Sequence, residues 1–125
     1  MKILKKVLLG LTLCFAFVIV LTSCSNVTKS YAEKISNAYS SGNSMKYDDV
    51  KKDLGDECID LTKDQNGLII AVKGMTAANY KEKLEKASST EKFDFLSIPV
   101  VKGECQRAYF AEATATDILA ATIGK

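Results

Sequence analysis

The chain has 125 residues, 17 basic and 15 acidic, with a formal net charge of +2. That length allows one small domain with a single core. It has no histidine and no tryptophan, so the commonest general base and metal ligand are missing. No basic patch is interleaved with aromatics, which excludes a nucleic-acid binder.

In chain order, Met1 to Lys6 carries Lys2, Lys5 and Lys6 and no acid. Val7 to Leu21 is apolar, about 15 residues long, short of the roughly 20 a spanning helix needs. Leu21-Thr22-Ser23-Cys24 then sets small residues before a cysteine. This is the order of a secretory signal. The tetrapeptide resembles the lipobox of bacterial lipoproteins. The resemblance implies that Cys24 carries a diacylglyceryl group and that residues 1–23 are removed. It implies a chain held by lipid on the extracytoplasmic side of a cell membrane, two acyl chains anchoring far better than one. Cleavage would leave 102 residues with 14 bases to 15 acids, since three lysines go with the signal.

Residues 24–29 read as the lipidated cysteine and a polar tether, and 30–125 as a single domain. Ser30 and Glu33 have capping-box spacing. Tyr31, Ile35, Ala38 and Tyr39 follow on one helical face, with Gly42 as the stop. Tyr47, Val50 and Leu54 make a second stripe, with Asp48 and Asp49 in the first turn and Gly55 at the end. Cys58–Thr62 and Leu68–Val72 read as strands around Asp64-Gln65-Asn66-Gly67, where Asn-Gly suits a tight hairpin. That segment also looks like part of a calcium loop, but the register puts Lys73 where a bidentate glutamate is needed. Thr76 can cap a third helix bearing Tyr80, Leu84 and Ala87, with Glu82 and Lys86 spaced i, i+4. Lys92–Val101 reads as a strand in which Pro99 demands an edge or a bulge. Lys102-Gly103 turns it into a fourth strand, Glu104–Glu112. Thr114 and Asp117 open a short last helix with Ile118, Leu119 and Ile123. The class is α+β, in the order ααββαββα, with the hairpins forming one antiparallel sheet and helices covering one face.

Met45, Val50, Leu54 and Gly55, followed by two strands, resemble the helix-turn-helix-plus-sheet unit of SmpA/OmlA-type outer-membrane assembly lipoproteins and of proteins similar to beta-lactamase inhibitory protein. Lys46 stands where that pattern has a capping threonine. The match covers residues 45–73 and implies a binding scaffold without catalysis.

The chain shows no G-x-S-x-G elbow, no C-x-x-C pair and no phosphate-cradling glycine loop. The reading is therefore not an enzyme, and it invokes no cofactor or metal. Cys58 and Cys105 invite a disulfide in an exported domain; two buried small apolar side chains are the other reading. Tyr31, Tyr39, Tyr47 and the lone Arg107 form a candidate binding surface, and the tyrosines' helical spacing also fits core positions. The acids Asp48, Asp49, Asp53, Asp56, Glu57, Asp60 and Asp64 read as a solvated face before a cation or basic-partner patch. The expected role is binding another envelope protein, against a thiol-based redox factor or a small-ligand binder.

Overall fold

The computed structural model describes residues 25–122. The signal segment, Cys24 and Ile123 lie outside the described residues. Two helices come first, α1 (Lys29–Ser40) and α2 (Tyr47–Leu54), then a 3-10 turn, Gly55–Glu57. The sheet follows as β1 (Cys58–Asp60), β2 (Gly67–Val72), β3 (Lys92–Val101), β4 (Glu104–Cys105) and β5 (Tyr109–Thr114). Helix α3 (Tyr80–Lys86) lies between β2 and β3, and α4 (Ala115–Thr122) closes the described chain. All strand pairs are antiparallel, in the order β1-β2-β3, with β4 and β5 both pairing the far side of β3. The class is α+β with one sheet, as expected.

Helices cover both faces of that sheet, not one. Ile69 and Ala71 of β2, with Leu96, Ile98 and Val100 of β3, pack against Tyr31, Ala32 and Ile35 of α1 and Val50 and Leu54 of α2. Leu68, Ile70 and Val72, with Phe95, pack against Tyr80 and Leu84 of α3 and Ala115 and Ile118 of α4. The cause is in β2. Its run Leu68–Val72 has no polar alternation, and every residue of it is buried. A strand apolar on both sides requires cover on both sides.

The tether expectation is corrected as well. Val27 is 0 % exposed and sits in the core under α1. The cap of α1 is Thr28, whose Oγ1 accepts from Tyr31 N at 3.1 Å, and not Ser30. The Ser25 hydroxyl donates to Glu57 at 2.7 Å, and the Asn26 amide donates to the Asp53 carbonyl at 2.8 Å. A five-residue polar stretch with one valine looks like a leash, but that valine finds the gap between α1 and the sheet. Ser25, Asn26 and Val27 therefore belong to the folded unit.

Two further local readings shift. The left-handed residues of the first hairpin are Asp64 (φ 54°) and Gln65 (φ 61°), with Lys63 and Asn66 exchanging backbone bonds of 2.8 and 3.0 Å. Asn66-Gly67 stands just past the tip. Asn66 Oδ1 accepts from Lys102 N at 2.7 Å, and Gln65 O accepts from Gly103 N at 3.0 Å. These bonds join the two hairpin tips and offset the cost of a left-handed glutamine. Gly67 (φ 134°) crosses so near Thr62 that a Cβ would lie 3.2 Å from its Cα. Thr76 does not cap α3; its N–H donates to Asn79 Oδ1 at 2.8 Å in a preceding turn, and the helix starts at Tyr80. The Glu82–Lys86 pair forms at 2.9 Å, and Thr114 accepts from Asp117 N at 3.3 Å as its position requires.

Pro99 lies in a central strand, opposite Leu68 of β2. Its other flank is a bulge. Val100 pairs with Cys105, yet Ser97 pairs with Tyr109, so β3 spends three steps where the partner spends four. The Pro99 carbonyl accepts from Gln106 N at 2.8 Å, so its nitrogen also faces the bulge. A missing donor costs least there.

The packed N-terminal stretch leads to a direct test. Val27→Ala should lower unfolding stability by about 1–3 kcal/mol, and Thr28→Ala by about 1 kcal/mol. Ser30→Ala should stay within about 0.5 kcal/mol. Urea unfolding midpoints of the three variants check the assignment; a neutral Val27→Ala would restore the tether.

Candidate functional site

Helices α1 and α2 run antiparallel across one face of the sheet. The start of α1 and the end of α2 meet at Asn26 and Asp53. The end of α1 lies near the bulge, where Ser36 Oγ accepts from Ala108 N at 2.9 Å and donates to its carbonyl at 3.2 Å. The start of α2 lies at the second hairpin, Tyr47 N donating to Gly103 O at 2.9 Å. One end of the domain thus gathers both hairpin tips, the bulge and the C-terminus of α1.

The exposed large hydrophobic side chains among the described residues are Tyr39, Val101 and Tyr109, at 39, 50 and 61 % exposure. Val101 adjoins the second hairpin tip and Tyr39 lies in the last turn of α1, while Tyr109 stands opposite Ser97, halfway along β3, and lines a groove with Lys29 to Asn37 of α1. Arg107 stands in the bulge between β4 and β5. Its guanidinium lies 6.0 Å from the Tyr39 ring centre, and its Nη2 donates to Ser40 Oγ at 3.5 Å. Pro99 and Val101 share the opposite sheet face from Ile98 and Val100, beyond the reach of the α3 and α4 core. The structure therefore brings two of the expected surface residues together, Tyr39 and Arg107. Tyr109 and Val101 were not expected. Their signal was parity: Ser97, Pro99 and Val101 alternate with the buried Leu96, Ile98 and Val100, and a serine-proline mix marks a face with no cover.

Tyr31 is not part of the surface. It is buried, and its hydroxyl donates to Asp53 at 2.8 Å. Burial, and then the Asp53 hydrogen bond, push its pKa far above the ordinary tyrosine value. Tyr47 is half-buried and enters a separate polar cluster. Its hydroxyl donates to Asp60 Oδ2 and accepts from Lys51 Nζ at 3.3 Å, with Thr62 Oγ1 beside it at 3.3 Å. Lys51 also lies 3.4 Å from Asp60 Oδ2 and 4.8 Å from the Tyr47 ring centre. Thr62 closes the cluster, bonding Asp60 Oδ1 through its hydroxyl at 2.6 Å and its N–H at 2.9 Å. Burial raises the Asp60 pKa, but the bonds from Thr62, Tyr47 and Lys51 outweigh it and hold the carboxyl below its ordinary value. Lys51 is raised, first by the Tyr47 bond and then by Asp60. The cluster ties α2 to β1. The Tyr47–Lys51 spacing of four was its visible trace in the sequence.

Cys58 and Cys105 are free thiols. They stand on β1 and β4, with β2 and β3 between those strands, and each packs on the α1–α2 side of the core. Burial is the main cause that pushes both up to about 11, helped by Asp60 at Cys58 and by Cys58 at Cys105. Cys105 is buried and Cys58 half-buried, and the two are unbridged in this structure. Two open grooves adjoin α1. One, of about 400 Å³, is lined by Asn26, Thr28, Tyr31, Lys34 and Asp53. The other, of about 230 Å³, lies between Ala32, Glu33 and Ser36 of α1 and Ala108 to Phe110. Among the described residues no cluster of carboxylates and thiols could hold a metal ion, and no helix is long and apolar enough to cross a membrane.

Compared with family models, with curated proteins and with solved structures, the chain finds no match in any of the three. The resemblance of residues 45–73 to small envelope lipoproteins thus stands on its quoted residues alone, and Lys46 indeed makes no side-chain cap on α2.

Two measurements follow from this chemistry. A carboxyl whose folded pKa is depressed stabilises the fold above its unfolded value and loses that contribution as pH falls through the folded one. Asp60→Asn should therefore be less stable than the parent at neutral pH, with the gap closing below about pH 4. An unchanged gap down the whole range would remove Asp60 from the ion cluster. For the thiols, a disulfide-exchange reagent at pH 8 should react about 100-fold more slowly with the folded chain than with the unfolded one. Rapid reaction at either cysteine would return the redox reading.

Proposed function

We propose that the chain is a lipid-anchored lipoprotein on the extracytoplasmic side of a cell membrane, working without catalysis. Its role is to bind another envelope protein through the surface that carries Tyr39, Arg107, Tyr109 and Val101. The anchor rests on the signal-like N-terminus and Cys24. The binding surface rests on one observation: the exposed Tyr39 and Val101 fall at the end that also holds the only arginine, and the exposed Tyr109 is two residues from that arginine. Tyrosine and arginine dominate interface energetics, since each combines a broad apolar face with directed polar groups. Arg107 lies beside Tyr39 and Ser40, so a partner would meet the guanidinium and the ring together.

The raised thiols favour binding over redox chemistry, because the thiolate is the nucleophile and both groups stay protonated near neutral pH. The finer likeness to envelope-assembly lipoproteins belongs to the same proposal, as a source for the kind of partner.

A photo-crosslinking residue placed at Tyr109 in intact cells should give a discrete crosslinked product in the membrane fraction. Arg107→Glu should remove that product while leaving urea unfolding within about 0.5 kcal/mol of the parent. The same residue at Lys81, exposed on α3, should give none. Equal products at the two positions, or none at Tyr109, would overturn the surface.

A further inference from the structure

We infer that the domain has no free tether and that its anchored end is pinned against the bilayer, with the Tyr39–Arg107–Val101 end held away from it. The inference rests on the lipoprotein reading of Cys24.

Ser25 is one peptide bond from Cys24, so their Cα atoms are about 3.8 Å apart. Ser25 is itself fixed: its hydroxyl donates to Glu57 and accepts from Val27 N at 3.2 Å. Asn26 holds the end of α2, and Val27 is buried. Glu57 in turn accepts from Gly74 N at 2.8 Å, which ties the end of β2 to the same spot. An acyl group on Cys24 would thus leave from a rigid corner where the starts of α1 and β1 meet the ends of α2 and β2. Helix α1 runs from this corner to Ser40, its 12 residues spanning about 18 Å at 1.5 Å per residue.

Charge does not set the orientation. Asp53, Asp56 and Glu57 are offset near the corner by Lys52, Lys73 and Lys83, the last donating to Gly74 O at 3.2 Å. The covalent mooring does. The partner is a lipid surface met by the corner, and the binding end projects toward whatever lies above that surface.

The chain has no tryptophan, which makes single-tryptophan fluorescence a clean probe. The acylated, processed protein carrying Asp56→Trp or Val101→Trp is placed in phosphatidylethanolamine–phosphatidylglycerol vesicles doped with a headgroup spin-labelled lipid. Quenching at position 56 should exceed that at 101 several-fold. A flexible glycine-serine insert between Cys24 and Ser25 should make the two alike. Equal quenching without the insert would overturn the pinned orientation and leave the anchor standing. Cys24→Ser measures the anchor separately: a variant still held in vesicles at its processed mass would sink the lipoprotein reading itself.

Discussion

Burial of β2 on both of its faces is the constraint on which the rest of the fold depends. Leu68 to Val72 brings five consecutive apolar residues to the middle of the sheet, all buried. The side chains of a strand alternate between faces, so each face receives its share and neither can be left to water. The N-terminal helices cover one side and α3 with α4 cover the other. A helix is therefore inserted between β2 and β3 even though these strands are neighbours and antiparallel. That insertion keeps the unit from being a plain meander. It also explains why a chain of this size has two apolar clusters with the sheet as their common wall.

The elements themselves were legible because each has a local cause. Tyr80 and Leu84, or Tyr47, Val50 and Leu54, declare a helix by spacing, and Thr114 with Asp117 declares its start. The misreadings are places where the deciding partner is distant in sequence. Thr28 outcompetes Ser30 as a cap because Val27, one residue before it, is anchored in a core that includes Leu96 and Ile98. The turn centres on Asp64 and Gln65 because Asn66 is committed to Lys102, 36 residues away. Cover on both faces was implied by Leu68–Val72, yet nothing local says on which side a given helix will settle. At the candidate surface, the meeting of Tyr39 with Arg107 depends on the bulge, and a bulge is a mismatch between two strands that neither strand states alone.

The polar groups follow a common pattern: those near the core are committed to one another. Tyr31 is spent on Asp53, Tyr47 on Asp60, Ser36 on Ala108, and Glu57 on Ser25 and Gly74. No polar or charged residue is fully buried among the described residues. Such a molecule is built to hold its shape, since an unpaired group inside would be costly. What stays uncommitted is a small set of aromatic and aliphatic side chains.

The bulge beside Pro99 has an arithmetic consequence. In a strand, a slip of one residue sends every later side chain to the other face. Were the surplus residue between Cys105 and Tyr109 drawn into the ladder instead of bulged out, Tyr109 would stand opposite Leu96, beneath α1, and Phe110 opposite Phe95 on the reverse side. As built, Phe110 takes the place opposite Leu96 and Tyr109 meets solvent. Shortening this link by a single residue would straighten the ladder and keep that facing, whereas closing the bulge at full length would turn the last strand inside out, trading a presented ring for a hidden one.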